Sequence, residues 1–399
     1  MKKIITLALV AAAFLLQAQN KPYITKVYDF MPAPGQFVNM SPKYDSGDTH
    51  QSIIAKVEKA ICGFDSIMQL EQLDGTIISD TITNVKPGLI SLGSYGGYVV
   101  FGFDHPVVNV AGENDFQIFG NAFGSDSLMV SGGSCEPGIV MVSRDANGNG
   151  IPDDPWYELA GSDYNKPQTQ KHFTITYYKP DENKTPVPDG PFITDSEYVY
   201  WTSNSTDGPR QGYVSKNSFH SQSYWPSWAQ GETLTFTGTK LQNNATNESQ
   251  TGEYWVQYFL GWGYVDNRPD YGYGYIGGAQ QSNQNLGFNI DWAVDDEGNA
   301  VHLNKVDFIK VYSAMLQQCG YIGETSTEVC GGIDLHPDVV PQELDGDQNG
   351  DGIIDIDDVN IVINMILNKI PVSSSADVDA SGIVDVDDVN TLINVILTK

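Results

Sequence analysis

Two twelve-residue stretches near the C-terminus, thirty positions apart, space their oxygen-bearing side chains identically. The first runs Asp347-Gln-Asn349-Gly-Asp351-Gly352-Ile353-Ile-Asp355-Ile-Asp-Asp358, the second Asp377-Val-Asp379-Ala-Ser381-Gly382-Ile383-Val-Asp385-Val-Asp-Asp388. Side-chain oxygens fall at positions 1, 3, 5, 9 and 12, and glycine stands at position 6, where the chain must turn sharply. Ile353 and Ile383, at position 7, each offer a backbone carbonyl. This is the ligand pattern of an EF-hand-type loop, so Ca2+ is the expected ion. Position 12 is Asp rather than Glu in both copies. After each loop, apolar residues recur at helical spacing: Val359, Val362, Ile363, Ile366 and Leu367, then Val389, Leu392, Ile393, Ile396 and Leu397. Neither short helix can bury its stripe alone, so the two are expected to pack on each other.

A loop followed by one helix, doubled in this way, resembles a type I dockerin over about residues 345–399. The resemblance implies calcium in both loops and docking to a cohesin-type protein partner. Loop positions 10 and 11, here Ile356-Asp357 and Val386-Asp387, would help to choose that partner. Residues 341–399 are thus expected to form a small α module after the large domain of residues 20–340.

Residues 1–19 read as a secretory signal peptide: Met1-Lys2-Lys3, an apolar run from Ile4 to Leu16, and small or polar residues at the cut. The run is too short to span a bilayer, so no membrane insertion is expected. The protein is expected to be exported to the cell surface or the medium, with the periplasm as a further option. Its formal charge is −29, from 50 acidic and 21 basic residues, which disfavours nucleic acid and anionic membranes as partners. Residues 338–399 hold 13 of the acids against two lysines, so part of the imbalance is metal ligand. Cys319 and Cys330 are close enough in sequence to close a short loop, whereas Cys62 and Cys135 read as buried thiols.

The large domain alternates short aromatic and β-branched runs with Gly, Pro and Asn clusters. Tyr98–Phe103, Gly138–Ser143, Phe173–Tyr178 and Asp307–Tyr312 are examples, and they point to a mostly β sandwich. Thr49–Gly63 is the one expected helix, with Ile53, Ile54, Val57, Ala60 and Ile61 on one face. A third loop of calcium type lies inside the domain, with Asp145, Asn147, Asn149 and Asp153 at positions 1, 3, 5 and 9 and Ile151 at position 7. Trp156 takes its position 12, so Asp154 or Glu158 must supply the closing ligand.

Several phrases of the large domain are similar to a family of secreted Bacteroidetes cell-surface proteins, often described as PKD-containing. They include Pro34–Asn39, Ser91–Tyr98, Gly102-Phe-Asp-His105, Cys135-Glu-Pro-Gly138, Trp156–Leu159, Val214–Ser221 and Gly323–Thr327. Members of that family recur beside TonB-dependent cobalamin uptake systems, which implies non-catalytic capture of a corrinoid. The order of phrases also resembles a galactose-binding-like jelly-roll β-sandwich, with residues 165–285 as a large insertion or second lobe.

Aromatics suited to ligand stacking concentrate in two stretches: residues 213–228, with Tyr213, Phe219, Tyr224, Trp225 and Trp228, and Tyr254–Tyr275, with Trp255, Tyr258, Trp262, Tyr264, Tyr271, Tyr273 and Tyr275. Of these, Tyr224, Trp225, Trp228, Trp262, Tyr271, Tyr273 and Tyr275 are the expected ligand contacts. They could flank a corrin ring or stack on sugars, and a carbohydrate-binding protein assembled through its dockerin is the alternative reading. A polysaccharide-degrading glycoside hydrolase is a third. The chain has no Gly-x-Ser-x-Gly elbow, His-Glu-x-x-His helix or glycine-rich phosphate loop, and no catalytic residue is assigned.

Overall fold

The computed structural model describes residues 20–63, 88–124, 132–250, 253–269, 286–340, 346–379 and 381–398. The expected signal peptide, and Tyr271, Tyr273 and Tyr275, lie outside the described residues. The chain is mostly β, with 32% strand against 14% helix, and its sheets are antiparallel. Among the described residues the strands divide among six sheets, an arrangement closer to the separate sheets of a propeller than to the two facing sheets of a jelly roll.

The largest sheet sets Lys26–Met31, Tyr98–Gly102, Phe308–Ser313, Gly138–Ser143, Trp156–Leu159 and Ala293–Val294 side by side. Several of these strands are almost continuously apolar because both sheet faces are covered. Alternation along each strand sorts its side chains between two cores. Val99, Phe101, Val140, Val142, Ile309 and Val311 enter the first, with Ile53, Val57 and Ile61 of helix α1 (His50–Ile61) and with Phe116 and Phe288 of a three-stranded sheet. From alternate positions Ile139, Met141 and Tyr312 enter the second, with Phe173, Ile175, Tyr177, Trp201, Val214 and Phe236 of a four-stranded sheet. The large sheet is therefore the middle of three layers.

Helix α1 starts where expected. Thr49 accepts from the Ser52 N–H, and the Ser52 side chain returns to the cap backbone, closing a capping box.

The outer four-stranded sheet runs Gln211–Asn217, Ile193–Ser203, Gln170–Tyr178, Thr233–Lys240, inside the region marked in the sequence as an insertion or second lobe. It seats closely on the middle layer. The Tyr312 hydroxyl accepts from the Thr239 N–H at 2.9 Å, and a Cβ at Gly238 would come within 2.9 Å of the Tyr312 ring.

In the tail, helices α2 (Ile356–Ile366) and α3 (Val386–Thr398) pack through Val359, Val362, Met365, Val389 and Leu392. Ile363, Leu367, Ile393 and Leu397 were expected in the same seam but are exposed. Two short helices cover one side of each other, and the apolar stripe is wider than that seam.

All four cysteines are unbridged, so the short loop that Cys319 and Cys330 are close enough to close carries no disulfide. Cys330 Sγ instead lies 3.3 Å from the Gly120 carbonyl oxygen. Burial pushes the Cys62 and Cys319 thiols up to about 12. No helix among the described residues is long and apolar enough to cross a membrane.

Candidate functional site

The three loops fold the same turn. In each, the position-1 carboxylate accepts the position-6 N–H: Gly352 to Asp347 at 2.9 Å, Gly382 to Asp377 at 2.8 Å, Gly150 to Asp145 at 2.8 Å. Those glycines have φ of +79°, +86° and +70°, where a side chain would be strained. Position 3 accepts the position-5 N–H: Asp351 to Asn349 at 3.0 Å, Ser381 to Asp379 at 2.9 Å, Asn149 to Asn147 at 3.0 Å. Ile353, Ile383 and Ile151 are exposed at position 7.

At position 12 the buried Asp358 accepts from the N–H groups of Gln348, Asn349 and Asp355, and the buried Asp388 from those of Asp379 and Asp385. Asp358 is also the third residue of α2, where it completes a capping box with Asp355. Asp358 thus serves both the loop and the helix start.

The donor set fits a hard cation. Ligand oxygens of Asp377, Asp379 and Asp388 lie within 4.8 Å of one another. In the first loop, burial and the nearby Asp358 and Asp351 push Asp347 above the usual carboxylate range, a repulsion that a cation would relieve. Asp355 and Asp385, at position 9, each accept the N–H two residues on, from Asp357 and Asp387.

The inner loop closes differently because a strand, not a helix, follows it. Trp156 opens strand Trp156–Leu159, and Asp154 turns back to accept from the Ala146 N–H at 3.2 Å. Asn147 and Asn149 donate to Asp153 at 3.1 Å or slightly more. Glu158 is engaged elsewhere, accepting from the Thr239 hydroxyl at 2.6 Å. Of the two residues that could close this loop, Asp154 is the one in place.

The first tail loop abuts the inner one. The Asn304 N–H donates to the Gly350 carbonyl at 3.0 Å, and the Arg144 guanidinium lies so close to Gly350 that no Cβ would fit. A cavity of about 470 Å³ lies at this junction, lined by Arg144, Asn147, Tyr157, Asn349 and Met365 among others. On the tail's solvent side, Ile356, Ile363 and Leu367 are matched by Val386, Ile393 and Leu397, all exposed, with Asp357 and Asp387 exposed beside them.

The aromatic expectation needs correction. Tyr224 is 0% exposed and Trp225 and Trp228 are 3% exposed, so these three are core rather than a stacking surface. The Tyr224 hydroxyl accepts from the Asn217 N–H, and Trp228 stacks on Phe30 at 6.1 Å. Trp262 is 37% exposed, its ring 4.4 Å from that of Trp292. Tyr213 and Phe219 of the first stretch are exposed, and they meet exposed aromatics that sequence reasoning passed over: Tyr178, with Tyr200 between it and Tyr213, and Phe192, stacked on Phe219. Strict alternation in Phe173-Thr-Ile-Thr-Tyr-Tyr178 was the available signal, since it sends Thr174, Thr176 and Tyr178 to the outer face.

Five of the phrases that carry the resemblance, Pro34–Asn39, Ser91–Tyr98, Cys135–Gly138, Val214–Ser221 and Gly323–Thr327, meet in a buried polar network. Glu324 accepts from the Gln36 N–H at 2.7 Å, and Ser326 from the Gly93 N–H at 3.0 Å. Thr327 donates to the Glu136 carbonyl at 2.8 Å, and Asn217 Nδ2 to Gln36 Oε1 at 2.7 Å. A carboxylate group that could hold a metal lies beside it, with ligand oxygens of Glu136, Asp266 and Glu328 within 4.8 Å of one another. Asp266 accepts from the Asn121, Ala122 and Glu328 N–H groups. Burial pushes both glutamates up, and the charges of Glu136 and Asp266 push Glu328 further.

No protein-family model matches the chain, and no curated protein is similar to it.

Proposed function

We propose that this is an exported, calcium-stabilised, non-catalytic capture protein of the cell surface. Its proposed ligand is a corrinoid such as cobalamin, passed on to TonB-dependent uptake. The observation that carries the calcium part is the shared turn of the three loops, with ligand oxygens of Asp377, Asp379 and Asp388 within 4.8 Å of one another in the second tail loop. The corrinoid part is supported by the phrases that carry the resemblance and by Trp262, which is partly exposed beside Trp292 and offers an aromatic contact. The middle sheet and the three-stranded sheet, with one core between them, are read as a jelly-roll-like sandwich into which residues 165–285 are inserted. The test is calorimetric titration of cyanocobalamin into the calcium-loaded chain. One-to-one binding, weakened by Trp262→Ala, is expected; absence of heat from folded protein overturns the ligand.

A second reading concerns the tail, and the exposed stripes favour it. Ile356, Ile363 and Leu367 repeat as Val386, Ile393 and Leu397, a solvent-facing apolar surface of the kind a cohesin-type protein would cover.

A further inference from the structure

The outer face of the four-stranded sheet carries an in-register aromatic row. Tyr200 pairs directly with Tyr213, and the pairing of Tyr177 with Trp201 sets Tyr178 beside Tyr200. Ring centroids step 5.4 Å from Tyr178 to Tyr200 and 5.4 Å from Tyr200 to Tyr213, close to the spacing of adjacent strands. The next row on the same face is Gln211, Thr202, Thr176 and Thr235. The two rows are stitched together: the Tyr200 hydroxyl donates to Gln211 Oε1 at 3.1 Å, and the Tyr178 hydroxyl lies 3.3 Å from that of Thr202.

Cross-strand aromatic pairs stabilise sheets wherever they occur. Here three rings in one row stand on the solvent side, with Tyr178 38% and Tyr213 41% exposed, while the opposite face of the same strands fills the second core. Neither row contains a charged side chain, in a chain of net charge −29. An anionic ligand would be repelled by the molecule as a whole, and the two rows offer a cation no carboxylate to pair with. What fits is a neutral molecule with apolar faces for the rings and hydroxyls for the neighbouring threonines and glutamine. We propose that this face binds a neutral polysaccharide, its sugar rings stacked along Tyr178, Tyr200 and Tyr213. The site shares no residue with the proposed corrinoid contact, and neither proposal rests on the other.

The test is native gel electrophoresis of the full chain through gels containing hydroxyethylcellulose, xyloglucan, galactomannan or, as the anionic control, polygalacturonate. Retardation by at least one neutral polysaccharide is expected. Tyr213 lies on the edge strand, so Tyr213→Ala removes a ring at small structural cost, and Tyr178→Ala is a second, independent variant. Each is expected to weaken retention about fivefold or more, as the loss of one stacked ring should, while Phe219→Ala leaves it unchanged. Thermal melting of each variant confirms that it is folded. No retardation in any neutral gel, retardation by polygalacturonate alone, or wild-type retention in both tyrosine variants overturns the proposal.

Discussion

Residues 20–340 bury two apolar cores, one on each face of the six-stranded sheet, whereas the tail buries little beyond Val359, Val362, Met365, Val389 and Leu392 between two short helices. The tail's other internal bonds run largely to loop carboxylates, with Asp347, Asp358, Asp377 and Asp388 collecting backbone N–H groups from their own loops. A module of this size cannot bury enough apolar surface to offset its chain entropy, and bound ions are a usual remedy. The large domain has no such need, and its inner loop is held at both ends by strands. The same turn thus serves two ends. In the tail it would provide the folding energy, and in the domain it would tie down a surface loop.

The comparison breaks most visibly if calcium is removed. The proposed dependence of the tail on calcium predicts that a chelator, or Asp358→Ala with Asp388→Ala, abolishes hydrogen-exchange protection across α2 and α3 and leaves that of the middle sheet intact. Equal protection of α2 and α3 with and without calcium would remove the ion from the account.

A cut into the apolar core should do the opposite. Trp228→Ala is expected to destabilise the domain by about 3–5 kcal/mol in denaturant melts and to leave the calcium midpoint of the tail unchanged. A shift in that midpoint would mean that the contact between Asn304 and Gly350 couples the two regions strongly.

The smallest effect is a pH slope confined to the domain. Burial pushes the Glu324 carboxyl up to about 8, and its Oε2 has no hydrogen-bond partner among the described residues. The fold thus favours the protonated form. The resulting stabilisation is full below the ordinary glutamate range and is lost as pH rises through about 8. Glu324→Gln keeps an acceptor for the Gln36 N–H and removes this titration. Between pH 5 and 8 it should flatten the fall in stability by up to about 1.4 kcal/mol per pH unit, read from urea midpoints. A variant with the wild-type slope would place the titration on another group, with Glu328 the first to examine.

Local rules made much of this molecule legible before any tertiary contact was known. The turn of each loop depends on a glycine at positive φ and on oxygens at fixed spacing, both set within a few residues, so Asp145, Asp347 and Asp377 could be read directly. Helix α1 was legible for the same reason, through its cap and its apolar face. Which aromatics face solvent was not legible, because density of rings in a stretch says nothing about the side to which each is turned. Tyr224, Trp225 and Trp228 looked like a binding stretch and are core, while Tyr178, Tyr200 and Tyr213 are scattered along the chain and become a row only through strand register. By itself, then, the sequence determined the loop turns, the helices and the mostly-β character, all products of short-range backbone preference and periodicity. Only the tertiary structure decided that the large sheet is covered on both faces, that Gln36, Gly93, Glu136, Asn217 and Glu324 share one buried network, and that Asp154 rather than Glu158 bonds back to the inner loop. Each of these depends on residues far apart in sequence, whose burial is fixed by the layer that packs against them.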